Sequence, residues 1–157
     1  MLKPDIRAER RFGAVEVKTA EGKECMNTMT WKYVKPLKQP NAVADFENRA
    51  GVSLPEDLKE CILQCNGGRP SCRFYDIKGS RNKEFKSLLS FNVDDLETVY
   101  KRYPVESRYK NLFPFASDPA GNLLVLKDGE VCFWNHEKDT IVLVAKSYSE
   151  FLQMLHN

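Results

Sequence analysis

The sequence has no long apolar run and almost no excess of either charge, and both absences narrow the class of protein. No stretch approaches the roughly 20 apolar residues that span a bilayer. The basic N-terminus, with Arg7, Arg10 and Arg11, also lacks the apolar core of a secretory signal. The 24 lysines and arginines against 22 acidic residues leave a net charge of +2, which gives no strong field for nucleic acid or an anionic membrane. We therefore expect a cytoplasmic protein that binds neither nucleic acid nor membrane.

Residues that bind metals are few and poorly spaced for that purpose. The chain has two histidines and five cysteines, at Cys25, Cys61, Cys65, Cys72 and Cys132. An odd number of cysteines in a chain of this length favours reduced thiols over a disulfide framework. Cys61 and Cys65 fall on the apolar stripe of a predicted helix, where free cysteine packs as a small hydrophobic residue. A metal site would have to recruit Cys132 or His136, and no C-x-x-C pair is present. We expect no metal and no cofactor.

Three residues are candidates for catalysis. Asp118 and Asn122 bracket a Pro-Ala-Gly segment, which favours a turn aspartate that accepts backbone hydrogen bonds. A single carboxylate also lacks the partner that general acid–base catalysis needs. In an extended strand Cys132 and His136 would lie roughly 13 Å apart at their Cα atoms, too far for a nucleophile and its base without a bend. The residues therefore favour a protein that is not an enzyme.

The first half of the chain predicts a helical hairpin. Asn41 can cap a helix that carries apolar residues at spacings of three and four and ends at Gly51. Ser53 and Glu56 have the spacing of a capping box for a second helix. That helix ends at the segment 66–68, Asn-Gly-Gly, because glycine readily takes the positive φ that stops a helix.

The second half of the chain predicts a third helix, a set of strands and a closing helix. The third helix starts at Asn92 or Asp94 and ends before Pro104, and a polar loop over 78–86 precedes it. Ser147 and Glu150 form another capping box, for the C-terminal helix. Strands are predicted over 72–77, 112–116, 123–126, 131–134 and 140–145.

This order of elements predicts an α+β fold: a helical hairpin and further helices packed on a mixed, mostly antiparallel sheet, with a C-terminal helix. Residues 1–25 are predicted to be an N-terminal extension or an extra hairpin. Residues 26–157 are predicted to form the single domain.

Several segments, taken in order, resemble the SUKH superfamily, in the branch that includes the yeast cell-wall synthesis regulator. None of them is specific alone, whereas the ordered set over about 31–155 is a strong signal. The matching segments are Leu-Pro-Glu-Asp-Leu-Lys at 54–59, Asn-Gly-Gly at 66–68, Phe-Pro-Phe-Ala at 113–116 with Asp118, Gly121 and Asn122, residues 131–137, and residues 147–152.

The resemblance implies a domain of helices packed on a mixed sheet and a function in binding proteins. Most bacterial members of the superfamily are similar to immunity proteins encoded beside polymorphic toxins, many of which are nucleases. We therefore expect a monomer that neutralises a cognate toxin, with a nuclease as the expected kind. Two alternatives remain open: a regulatory scaffold, as in the eukaryotic branch, and a small enzyme that uses Cys132, His136 or Asp118.

Candidate contact residues follow from charge and residue type. The acidic residues of the second helix favour the helix dipole, and they would also meet the lysines of a basic partner. Trp134 lies at a polar strand end, and tryptophan and arginine are enriched in interface hot spots. The candidate partner-binding residues are Glu56, Asp57, Glu60, Arg69, Asp118, Trp134, His136 and Glu137.

Overall fold

A computed structural model describes residues 29–102 and 111–157. The predicted extension over 1–25 lies outside these ranges, as do Tyr103 and Pro104. No helix within the described ranges is long and apolar enough to cross a membrane. In chain order the elements are β1 (Trp31–Lys32), α1 (Ala42–Ala50), α2 (Glu56–Cys65), β2 (Arg69–Pro70), β3 (Phe74–Ile77), β4 (Ser80–Glu84), β5 (Ser87–Leu88), α3 (Val99–Arg102), β6 (Leu112–Ser117), β7 (Leu123–Lys127), β8 (Glu130–Asn135), β9 (Thr140–Ala145) and α4 (Tyr148–Met154).

The main sheet contains five strands in the order β5-β6-β7-β8-β9, and each neighbouring pair is antiparallel. The turn between β7 and β8 holds Asp128 and Gly129 at φ values of 53° and 85°, the left-handed pair that a two-residue hairpin requires. Two smaller antiparallel pairs, β1–β2 and β3–β4, lie apart from this sheet. The predicted α+β fold is confirmed, including the C-terminal helix.

Aromatic side chains hold the helices against the sheet. Phe151 of α4 is fully buried, and its ring lies 5.2 Å from the ring of Tyr75 and 5.7 Å from that of Phe85. Phe46 of α1 packs in the same way against Phe91 and Phe113, at centroid distances of 5.5 and 5.4 Å. These contacts join segments far apart in the chain into one core.

The helical hairpin forms as predicted, but the residues at the N-termini of its two helices do not make the side-chain caps that the sequence predicts. Gly51 ends α1 at φ 70°, and its N–H donates to the Glu47 carbonyl at 2.9 Å. Neither Asn41 nor Ser53 makes the expected side-chain cap, and Pro55 is the residue that precedes α2. A carboxylate from α1 binds the connection between the helices: Glu47 Oε2 accepts from the Leu54 N–H at 2.7 Å. The two helices are therefore coupled by a side chain that local spacing did not reveal.

Two predicted segments between the helices and the main sheet are wrong. The segment 78–86 is largely strand, because β4 pairs with β3. The third helix begins at Val99 and not at Asn92 or Asp94. The backbone of Ser90, just before the next loop, binds the far end of that loop, since it accepts from the Val99 N–H at 3.0 Å and donates to the Glu97 carbonyl at 3.0 Å. Residues 92–97 therefore form a closed loop.

The prediction that the cysteines are reduced thiols is correct for some of them. Cys61 and Cys65 are free thiols on the buried face of α2, and the Tyr148 hydroxyl donates to Cys61 Sγ at 3.2 Å. Their packing role is confirmed. Cys132 is also free and buried. Cys72 is disulfide-bonded, so the expectation of reduced thiols is wrong at this position.

The serine half of the predicted capping box of α4 is present, whereas the Glu150 carboxylate binds the N–H of Lys146 and not that of Ser147. The serine cap gives a stability prediction. Ser147 Oγ accepts from the Glu150 N–H at 3.1 Å, and Glu150 Oε1 accepts from the Lys146 N–H at 2.7 Å. We expect Ser147→Ala to lower the free energy of unfolding by about 1 kcal/mol, since it leaves one helix N–H without its acceptor. Urea denaturation measures the loss. Ser53→Ala is the matched control and should change little, and equal losses in both variants would contradict the assignment.

Candidate functional site

The eight predicted contact residues do not form one site. Asp118, Trp134, His136 and Glu137 lie at or beside the turns that follow β6 and β8, at one end of the main sheet. The acidic residues of α2 begin beside the β7–β8 turn, at the opposite end. Arg69 lies in β2 and contacts neither group: its Nη2 pairs with Glu84 Oε2 at 3.0 Å. The structure therefore presents two separate surfaces.

At the first end, Asp118 organises the turn between β6 and β7. Its Oδ1 accepts from the N–H groups of Ala120 and Asn122 at 2.9 and 2.7 Å. Its Oδ2 accepts from Asn122 Nδ2 at 3.1 Å, and Asn122 Oδ1 then accepts from the His136 N–H at 3.0 Å. The carboxylate is thus engaged by three donors in its own turn, as the turn interpretation predicted.

The histidine at this end lies against backbone, and the thiol proposed as its partner is buried. His136 Nε2 is 3.3 Å from the Ala120 carbonyl oxygen, and a Cβ on Gly121 would meet the same nitrogen at 3.4 Å. Cys132 is buried, and burial raises the pKa of its thiol. A nucleophilic cysteine needs the opposite shift, toward the thiolate. The geometry therefore gives no support to a Cys132–His136 pair.

Trp134 is half-buried, and its indole Nε1 donates to Asp139 Oδ1 at 3.1 Å. Across the strand pair it stands opposite Ile141 of β9, which is exposed. Leu143, two residues further along β9, is 51% exposed. Sequence reasoning missed both residues, because an apolar β-branched strand predicts burial and only the strand order shows that β9 lies at the end of the five-stranded sheet.

At the second end, the acidic residues of α2 have different functions. Asp57 Oδ2 accepts from the N–H and hydroxyl of Ser149 at 3.0 and 2.7 Å, so it fastens α2 to the start of α4. Glu56 has an 80% exposed side chain and pairs with Lys59 at 3.1 Å, which raises the pKa of Lys59. Glu60 is exposed one turn further on. Glu56 and Glu60 are therefore available at the surface, whereas Asp57 is used internally.

A groove of about 600 Å³ lies beside Glu56, between the α1–α2 connection and the β7–β8 turn. Among the described residues that line it, Glu56 and Asp128 are the charged ones. Both are acidic. The lining is completed by Val52, Ser53, Leu54, Pro55, Asn111, Phe113, Leu126 and Gly129.

A buried polar network supports a further exposed loop that the sequence did not reveal. Asn66, which is 1% exposed, donates from Nδ2 to the Lys35 carbonyl at 2.8 Å and accepts from the Phe91 N–H at 2.9 Å. Asp95 closes the network by accepting from Ser90 Oγ at 2.6 Å. Burial raises the pKa of Asp95, but hydrogen bonds from Ser90 and Asn92 outweigh it and leave this pKa lowered. The loop presents Leu96 with 86% of its surface exposed.

Within residues 29–102 and 111–157 no three His, Cys, Asp or Glu side chains are grouped so that they could hold a metal ion. The buried thiols of α2 are too few for a tetrahedral site. Neither predicted surface therefore groups three such side chains among the residues described.

Together these observations define an α+β domain in which helices pack on an antiparallel five-stranded sheet, with its accessible polar groups at the two ends of that sheet. The model of the SMI1 / KNR4 family (SUKH-1) matches residues 39–154, and the chain belongs to this family. This match confirms the resemblance to the SUKH superfamily. No curated protein matches the chain at a significant level.

Proposed function

We propose that this protein is a bacterial immunity protein that binds a cognate polymorphic toxin, with a nuclease as the expected kind, and neutralises it by contact alone. The observation that carries the proposal is the family match over residues 39–154. The site geometry supports a binding function: Asp118 is engaged in its turn, and burial raises the pKa of the Cys132 thiol. The proposal assigns no catalytic step to the protein.

The contact residues belong to the same proposal. Those with accessible side chains are Glu56, Glu60, His136 and Glu137, together with the half-buried Trp134. Asp57, Asp118 and Arg69 hold the fold in place and would support the interface from behind. A stable interface of this type buries roughly 1,600 Å² in total and needs a few anchoring residues.

Co-expression tests the function directly. Cells that produce the toxin encoded beside this gene should survive when they also produce this protein, and the two purified proteins should form a 1:1 complex by calorimetry. Nuclease–immunity pairs reach Kd values of about 10⁻¹³ to 10⁻¹⁶ M, so neutralisation at equal expression is physically attainable. Continued killing, with no heat of binding between the purified proteins, would refute the proposal.

A regulatory scaffold is the second candidate, because the family also includes regulators. Affinity capture separates the two functions: one stoichiometric partner supports immunity, whereas several weak partners support a scaffold. An enzyme using Cys132 is the third candidate, and rapid alkylation of this buried thiol would be its first requirement.

We place the action of the protein in the cytoplasm as a monomer. The three buried free thiols are consistent with a reducing compartment, and the disulfide at Cys72 is the feature that opposes it. Cell fractionation and the mass of the purified protein in solution check both statements.

A further inference from the structure

We propose that the acidic groove between the α1–α2 connection and the β7–β8 turn is the surface that receives a basic segment of the partner. This inference rests on the proposed function and deepens it, because it names the face and the chemistry that recognise the toxin. The occupant is a stretch of partner chain that presents lysine or arginine beside apolar side chains.

Charge distinguishes this groove from two other cavities lined by described residues. One, of about 260 Å³, carries Lys38 and Arg49 together with Asp45 and Asp94, so its charges balance. Another, of about 230 Å³, carries two lysines and one glutamate. The acidic groove is larger than either, at about 600 Å³, and the charged members of its lining within the described ranges are Glu56 and Asp128.

The local charge is opposite in sign to that of the whole protein. Glu56 and Asp128, the charged residues among the described ones that line the groove, are both acidic, whereas the complete chain has a net charge of +2. The described lining of the groove therefore attracts a cationic partner, although the chain as a whole carries a small positive charge. Interfaces use such complementarity to steer association and to fix the register of binding.

The shape of the groove suits the two parts of a long basic side chain. Leu54, Phe113 and Leu126 contribute an apolar floor, and all three are largely buried. Lysine and arginine carry apolar stems below their charged heads, so the stem can pack on this floor while the head reaches a carboxylate at the rim. An arginine head can also bind a carboxylate through two parallel hydrogen bonds.

The rim is preorganised on both sides. Asp128 occupies a two-residue hairpin with φ 53°, which fixes its position relative to the sheet. Glu56 is in the first turn of α2, and that turn is fastened to α4 through Asp57 and Ser149. A rigid rim loses little conformational entropy on binding, which favours affinity.

The first experiment removes the two charges and keeps the shapes. Glu56→Gln with Asp128→Asn preserves side-chain size, and asparagine tolerates the left-handed backbone at position 128. We expect association with the toxin encoded beside this gene to slow about tenfold or more at low salt. The difference should shrink at 0.5 M NaCl, where the Debye length is only a few ångströms, between about 3 Å at 1 M and 10 Å at 0.1 M.

The matched control removes two equally exposed charges elsewhere. Asp45 is exposed on α1, and the side chain of Asp94 is 83% exposed on the 92–97 loop. Neither belongs to the proposed contact residues. Asp45→Asn with Asp94→Asn changes the net charge by the same amount, and it should leave the association rate within about twofold of wild type. If Glu56→Gln with Asp128→Asn associates with the toxin as fast as wild type, the groove is not the binding surface, while the proposed immunity function is unaffected.

The second experiment does not depend on the toxin. Titration of the ¹⁵N-labelled full chain with the peptide acetyl-Arg-Leu-Arg-amide should shift the amide signals of Leu54, Glu56 and Gly129, and the double groove variant should lose these shifts. Shifts centred on Gly121 and His136, or no shifts, would overturn the groove. If the peptide shifts the groove amides but the protein does not bind the toxin, the immunity function is refuted and the groove remains supported as a site for basic segments.

Discussion

Replacement of Phe151 by alanine is expected to lower the free energy of unfolding by about 3–5 kcal/mol. The ring is fully buried and is surrounded by the rings of Tyr75, Phe85 and Phe115, at centroid distances of 5.2, 5.7 and 6.3 Å. Its removal leaves a cavity between three separate parts of the chain, and these parts cannot all move to fill it. Urea denaturation followed by tryptophan fluorescence measures the loss.

The neighbouring Gln153 provides the control for this variant. Its side chain is exposed on the same helix, so Gln153→Ala should change the free energy of unfolding by no more than about 0.5 kcal/mol. If Phe151→Ala lowers the free energy of unfolding by less than about 1.5 kcal/mol, α4 contributes little to the stability of the core.

The second large effect is expected for Asn66→Leu, which should lower the free energy of unfolding by about 2–4 kcal/mol. This loss is expected although leucine is similar in size to asparagine and more apolar. Asn66 supplies the acceptor for the Phe91 N–H and a donor to the Lys35 carbonyl. Each buried group that loses its partner costs about 1–3 kcal/mol. The Lys35 carbonyl would retain only a long contact to Asn92 Nδ2, at 3.5 Å.

Hydrogen exchange locates this loss. The amide of Phe91 should exchange much faster in Asn66→Leu. The exchange rates of amides in β7 should change only as much as the loss of global stability requires. Gln64→Leu, an exposed position on the same helix, is the control and should leave exchange at Phe91 unchanged. Protection at Phe91 equal to wild type would show that another acceptor replaces the asparagine.

Much of the fold follows from local signals in the sequence. The span 140–145 was predicted as a strand and is β9, because six successive residues combine β-branched and apolar side chains. Gly51, the Asp128-Gly129 turn and the Ser147 cap also act where they were expected, since each satisfies a backbone requirement within a few residues. Signals of this kind depend on neighbours in the chain and can be interpreted without the tertiary structure.

The errors have causes outside the local sequence. Ser53 does not cap α2 because the helix begins later, with Pro55 as its N-cap, and Glu47 of the preceding helix holds the connection through the Leu54 N–H. Asn92 does not start α3, since its side chain donates to the Pro36 carbonyl and accepts from the Lys38 N–H. Both residues have the right chemistry for a cap, but the helix that each would cap begins further along the chain.

The sequence predicts which types of residue form the candidate site, but not which of them lie together and are accessible in the folded chain. Glu56 was chosen for its charge, but the groove beside it depends on Asp128 and Phe113, which are more than 50 residues away in the chain. Asp57 and Asp118 have the same type of side chain, and each holds the fold through hydrogen bonds. Only the three-dimensional arrangement separates an accessible carboxylate from one that is engaged.

The bridge between Phe74 and His156 has a consequence for synthesis in the cell. The backbone of His156 exchanges hydrogen bonds of 2.9 and 2.8 Å with Phe74, and Phe151 completes the core just before it. The segments that contact Phe151 and His156 can therefore complete their packing only after residues 148–156 have been synthesised.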